Sequence, residues 1–179
     1  MTGKLIAAIV GAESTVIQKL LAEVASDWQD SGMRLCGVLE EAAGRSCSGF
    51  LRNLETGDEF AMYLDEPPAH TSCHLDELGV VDACASVIDR VAPSDLVVLS
   101  KFGKLEAVGS GLFEAFETAI GLGKPLLTSV APKHHYAWQR FAPDAVFIRP
   151  ERAAIEAWRR GVSGASHRSH APSGMALFN

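Results

Sequence analysis

The run Asp95-Leu-Val-Val-Leu-Ser-Lys-Phe-Gly-Lys-Leu-Glu106 constrains the fold more than any other stretch of this chain. Four apolar residues, Leu96 to Leu99, read as a short buried strand, and a polar, glycine-containing turn ends it abruptly. In an open α/β sheet, ligands are held at the carboxyl ends of the strands. Residues 100–106 therefore mark a candidate site.

The flanking sequence supplies the sheet that such a strand needs. Residues 5–10 read as a first strand. A helix follows, with Val16, Ile17, Leu20, Leu21 and Val24 at helical spacing and Ser14 or Thr15 as its cap. Residues 33–39 form a second strand. Residues 49–54 and 59–64 flank Glu55-Thr-Gly-Asp58 and read as an antiparallel hairpin. A helix over 76–91 offers Leu78, Val81, Ala85, Ile88 and Val91 for its inward face. Then come the 95–100 strand, a helix over 112–120, a strand over 125–130, a partly helical stretch over 131–142, a strand over 145–148 and a helix over 152–160. Strands alternating with helices mean an α/β fold, a mostly parallel sheet flanked by helices with right-handed crossovers, into which the hairpin is inserted. Residues 1–161 read as one domain. Residues 162–179, rich in Ser, Gly and His, read as a mobile C-terminal tail.

Composition narrows the function. A chain of 179 residues that is 47% hydrophobic can build a real core. A net charge of −6 argues against nucleic acid as a partner, which usually meets a basic stripe. No run approaches the roughly 18 apolar residues of a membrane span. Gly11 and Glu13 interrupt the N-terminal apolar run, so it reads as a strand and not a leader, and the cytoplasm is the expected compartment. Cys36, Cys47, Cys73 and Cys84 form no C-x-x-C pair and read as free thiols.

Three groups of residues can carry chemistry. The turn Gly11-Ala-Glu-Ser-Thr15 opens the first helix, whose bare amides can meet an anion. It lacks the G-x-x-x-x-G-K-S/T pattern of a phosphate cradle, and Ser14 as a simple cap is the plainer reading. Lys101 and Lys104 flank Gly103, which lets a backbone approach a ligand closely. Two ammonium groups there suit phosphate, sulfate, molybdate or a nucleotide, with Glu106 orienting a lysine or binding a metal. The alternative is a solvated turn whose lysines pair with Glu13, Glu40 or Glu41. Third, Cys73 and His74 with Cys47 could hold a soft or borderline metal, although zinc needs about four ligands in a closed geometry. Cys36 and Cys84 fall inside strand and helix patterns as small buried hydrophobes. No G-x-S-x-G elbow appears.

The order of these segments carries a resemblance. Cys36-Gly-Val-Leu-Glu40, Ser48-Gly-Phe-Leu-Arg-Asn-Leu-Glu-Thr-Gly57, the 95–106 run and Gly123-Lys-Pro-Leu-Leu-Thr128 together resemble the small P-loop nucleoside-triphosphatases of broad specificity. Lys101–Glu106 and Cys73-His-Leu-Asp76 are more closely similar to an uncharacterised bacterial branch of that superfamily, often found near molybdate-transport genes. The resemblance implies a P-loop NTPase-like fold with its site at the strand ends. The departures fall on the catalytic parts. The phosphate-binding Lys and Ser/Thr of the true nucleotidases have no counterpart in residues 11–16, and Ser100-Lys101 replaces their acidic pair.

The leading expectation is thus a non-catalytic or weakly catalytic accessory protein on a degenerate P-loop fold, binding a small anion or a nucleotide and linked to molybdate metabolism. Two alternatives stay open. One is an active nucleoside-triphosphatase with relocated groups: Lys104 for phosphate, and Glu106 or Glu13 for magnesium or water. The other is a thiol/imidazole metal carrier. No cofactor is specified, and Trp138, Phe141, Phe147 and Trp158 could serve either a core or a homo-oligomer interface.

Overall fold

A computed structural model of the chain describes residues 4–42, 48–64 and 74–166. The described elements run β1 (Ile6–Ile9), α1 (Ser14–Asp30), β2 (Leu35–Ala42), β3 (Gly49–Asn53), β4 (Glu59–Ala61), α2 (Glu77–Val91), β5 (Leu96–Leu99), α3 (Phe113–Gly121), β6 (Leu126–Ser129), α4 (His135–Phe141), β7 (Val146–Ile148) and α5 (Arg152–Ser166). The strands form one sheet in the order β4-β3-β2-β5-β6-β1-β7. The pairs β2/β5, β5/β6, β6/β1 and β1/β7 are parallel, while β3 and β4 extend one edge antiparallel. The fold is α/β, a mostly parallel sheet flanked by helices, consistent with a P-loop NTPase-like architecture.

Helices cover both faces, because β5 and β6 are apolar on both sides. Val97 and Leu99 face a core built with α2, α3 and α4, through Val87, Phe116 and Trp138. Leu96 and Val98 face the second core, built with α1 and α5 through Leu21, Val24, Ile155 and Trp158. From β1 the chain passes through α1 on one face toward β2. From the adjacent β6 it passes through α4 on the other face to β7. Neighbouring strands whose connections diverge in this way leave a crevice at their carboxyl ends.

Some boundaries differ from the sequence reading. Glu13, not Ser14 or Thr15, is the N-cap of α1, and its side chain makes no capping bond. The carbonyl of Glu13 already accepts from Val16 and Ile17, so the helix begins one residue earlier than a Ser14 cap allows and two earlier than a Thr15 cap. α2 buries Val80, Ala83, Cys84, Val87 and Val91, whereas Leu78 is 76% exposed and Val81 40%. A Cβ at Gly79 would come within 2.1 Å of the Ala61 carbonyl oxygen, so Gly79 lets the helix lie directly against β4 and sets its rotation. Asp76 caps that helix, its side chain accepting from the Gly79 amide at 3.1 Å. α5 continues past Arg160 to Ser166 and buries Val162, and residues 167–179 lie outside the described region. Trp138 and Trp158 are core residues, Phe141 packs at 5.4 Å from the Phe102 ring, and Phe147 remains 39% exposed.

One glycine is fixed by strand pairing. Gly37 of β2 has φ +144°, and a Cβ there would lie 1.8 Å from the backbone oxygen of Val98 in β5. Cys36 beside it and Cys84 are buried thiols. Desolvation pushes the Cys36 thiol up to about 12 and raises Cys84 as well, so neither is a thiolate at neutral pH. Gly37→Ala should cost more than about 3 kcal/mol in urea denaturation, because a backbone clash adds to the strain of the conformation. In a Cys47→Ser/Cys73→Ser background, the native protein should consume no thiol reagent until it is unfolded. Rapid labelling of the folded chain would contradict the burial of Cys36 and Cys84.

Candidate functional site

A cleft of about 860 Å³ opens at the carboxyl ends of β5, β6 and β1. Three segments converge on it: the start of α1 with Glu13 and Ser14, the loop after β5 with Lys101 to Leu105, and the loop after β6 with Ser129 to His134. Tyr63, His74, Leu75 and Glu77 close the side toward the antiparallel edge.

The loop after β5 is positioned from within. Phe102 is 2% exposed, and its amide donates to the Ser129 carbonyl at 2.9 Å. Its ring centroid lies 5.2 Å from Trp138 and 5.7 Å from Phe116, so the aromatic core anchors the turn that presents both lysines. Glu106 is buried behind it. One carboxylate oxygen accepts from the Gly103 amide at 2.9 Å and the other from the Leu112 amide at 2.8 Å. A Cβ at Gly111, where φ is +65°, would approach that second oxygen to 2.4 Å. Both Glu106 oxygens are thus engaged by backbone amides. The residue borders a small side cavity rather than the main cleft.

The structure distributes the sequence candidates unevenly. Ser14, Lys101, Gly103 and Lys104 line the cleft. Gly11 (φ +97°) and Thr15 are exposed but are not among its lining residues, and a Cβ on Gly11 would meet Pro150. Gly103 stands at the wall, yet its amide is used by Glu106. Lys101 donates to Glu40 at 2.8 Å, and both partners are partly buried. Among the described residues Lys104 and Lys133 have no ion-pair partner. His74 lines the cleft, whereas Cys47 and Cys73 lie outside the described residues. Among the described residues no group of three or more His, Cys, Asp or Glu is placed to hold a metal ion.

Several residues at or beneath the cleft carry no motif in the sequence. Gln18 of α1, 6% exposed, donates through Nε2 to the Ser100 carbonyl at 2.8 Å and to Ser129 Oγ at 3.3 Å. Ser129 Oγ itself donates to the Ser100 carbonyl at 2.8 Å. A neutral amide and two serines therefore join the ends of β5 and β6 beneath the cleft. The signal is Gln18 itself, a polar residue at helical spacing with Leu21 and Ala25 on an otherwise apolar stripe. Lys133 and His134 follow β6 as Lys101 follows β5, so the same strand-end argument points to them. Desolvation, with Lys133 beside it, holds the His134 imidazole below its ordinary value. Tyr63 is pushed up by burial and by Glu40, against an opposing pull from Lys101.

A family model described as "Protein of unknown function (DUF2478)" matches residues 6–158. Among curated proteins, a "Molybdenum import ATP-binding protein ModC 2" of Bradyrhizobium diazoefficiens (strain JCM 10833 / BCRC 13528 / IAM 13628 / NBRC 14792 / USDA 110) is 33% identical over 169 residues. The alignment takes in 91% of this chain and 19% of that protein, so the chain spans about a fifth of the relative it matches. No solved structure matches the chain.

Glu106→Ala should lower stability by about 2–6 kcal/mol in urea denaturation, on about 1–3 kcal/mol for each of the two amides left without an acceptor. A loss under about 0.5 kcal/mol, the range of ordinary surface substitutions, would mean that the carboxylate does not hold the loop.

Proposed function

The chain belongs to the DUF2478 family, and on that premise we propose that it binds a small anion or a nucleotide in the cleft between the loops after β5 and β6. The reading extends to a non-catalytic or weakly catalytic accessory role, on a P-loop-like fold whose catalytic positions are degenerate. The observation that carries it is the convergence of Lys104 and Lys133, from two parallel strands, on one cleft at the divergence of β1 and β6. Such a crevice is where α/β sheets hold ligands. Two ammonium groups without ion-pair partners among the described residues give an anion two donors to pair with.

Turnover is a separate matter. Phosphoryl transfer relies on cations and a metal-holding acid arranged around the phosphates. Here the link between β1 and α1 is only residues 10–13, with an acidic Glu13 at the helix start. The ends of β5 and β6 carry Ser100 and Ser129, tied to Gln18, where a carboxylate would be needed. This supports binding without efficient hydrolysis. The likeness to a protein named for molybdenum import supports a role beside molybdate transport.

The test is a thermal-shift series with phosphate, sulfate, molybdate, AMP, ADP and ATP, since a ligand that prefers the folded state raises its stability. At least one anion should raise the melting temperature of the full chain, and Lys104→Ala/Lys133→Ala should remove the shift without altering the unliganded value. ATP or GTP hydrolysis with magnesium should stay well below about 1 per second, the low end of ordinary enzymes. Faster turnover that is lost in Glu13→Gln would favour a nucleoside-triphosphatase with relocated groups. The absence of a shift with every anion would remove the binding role.

A further inference from the structure

The cleft's size, wall chemistry and charge say more than that it attracts anions. Its volume of about 860 Å³ lies in the range of about 300–1,000 Å³ typical of organic-ligand sites. A tetrahedral oxyanion occupies ~120 Å³, at a water's share of ~30 Å³ for each of its oxygens. A bare oxyanion therefore fills only a small part of the space.

The walls are not built for a bare ion either. Leu75, Leu105, Val108, Val130 and Pro132 give the cleft apolar sides, contributed by the approach to α2 and by the loops after β5 and β6. Val108 is 76% exposed, an apolar side chain at the cleft that gains from being covered by an apolar body and gains nothing from an ion.

Charge sets the other limit. The lining holds three lysines and two glutamates, Glu13 and Glu77. Lys101 is already matched by Glu40, so Lys104 and Lys133 face the two glutamates with no formal excess. His134 lies below its ordinary value and adds little charge at neutral pH. Like charges near a carboxylate cost energy, more so in a partly desolvated cleft. Two lysines can pair with one phosphate group. They cannot also balance a triphosphate beside Glu13 and Glu77.

Resting on the binding role proposed above, we infer that the cleft selects a small organic monophosphate with an apolar body, over both a bare oxyanion and a nucleoside triphosphate. The phosphate pairs with Lys104 and Lys133, and the body lies against the wall that includes Leu105, Val108 and Pro132.

Isothermal titration of the full chain with phenyl phosphate, AMP, GMP, inorganic phosphate, molybdate and ATP, the last with and without magnesium, tests the inference. At least one of phenyl phosphate, AMP and GMP should bind about tenfold or more tighter than phosphate, molybdate and ATP, a difference well resolved by affinity measurements. Val108→Ser, at an exposed position, should weaken the organic monophosphates and leave inorganic phosphate unchanged. Glu13→Gln/Glu77→Gln should narrow the gap between ATP and AMP by removing the repulsion. Phosphate or molybdate binding as tightly as every monophosphate, or ATP binding most tightly of all, overturns the inference while the anion-binding role stands. Failure of every compound to bind overturns both.

Discussion

The cleft depends on one buried carboxylate. Glu106 grips the loop after β5 at both ends, through the amides of Gly103 and Leu112, and thereby fixes where Lys104 and Leu105 face. A carboxylate buried against apolar side chains persists only where donors meet its oxygens. The two amides supply them. The fit is close, since Gly111 leaves no room for a side chain against the same group. Phe102 completes the anchor by burying its ring among Phe116, Trp138 and Phe141. Loop, glycine and aromatic core form one packed unit that presents two lysines to the cleft.

The same construction supports the proposed binding role without efficient hydrolysis. Under the cleft, the ends of β5 and β6 are joined by Gln18, Ser100 and Ser129, a network of neutral groups. Neutral amide and hydroxyl oxygens are weaker partners for magnesium than carboxylates, which supply the charge. The acids that do reach the cleft, Glu13 and Glu77, sit on its walls, and Glu40 is spent on Lys101. Such a balance supports the proposed ligand of modest charge held partly by apolar contact.

Much of the architecture was legible in the residues. Short apolar runs alternating with periodic stretches, and a glycine-containing turn between residues 49–54 and 59–64, encode the parallel sheet and its antiparallel edge. The candidate site was legible in part. Lys101 and Lys104 stand out because they follow a buried strand, and Lys133 and His134 follow another by the same rule. Helix rotation was not legible, because α2 offers apolar residues on more than one face. The choice of Val80, Ala83 and Val87 over Leu78 and Val81 follows from Gly79 lying against β4.

What the sequence by itself determined is the pattern of strands and helices, the buried character of Cys36 and Cys84, and the location of a polar turn at the end of a buried strand. These follow from local spacing and from the hydropathy of single residues. Only the tertiary structure decided the partners. Lys101 is matched to Glu40 across 61 positions, Gln18 reaches Ser129 across 111, and Glu106 turns inward to two amides instead of outward to a ligand. Pairings at such separations depend on which strands lie side by side. That order is set by how the helices divide between the two faces of the sheet, and no local stretch of residues contains it.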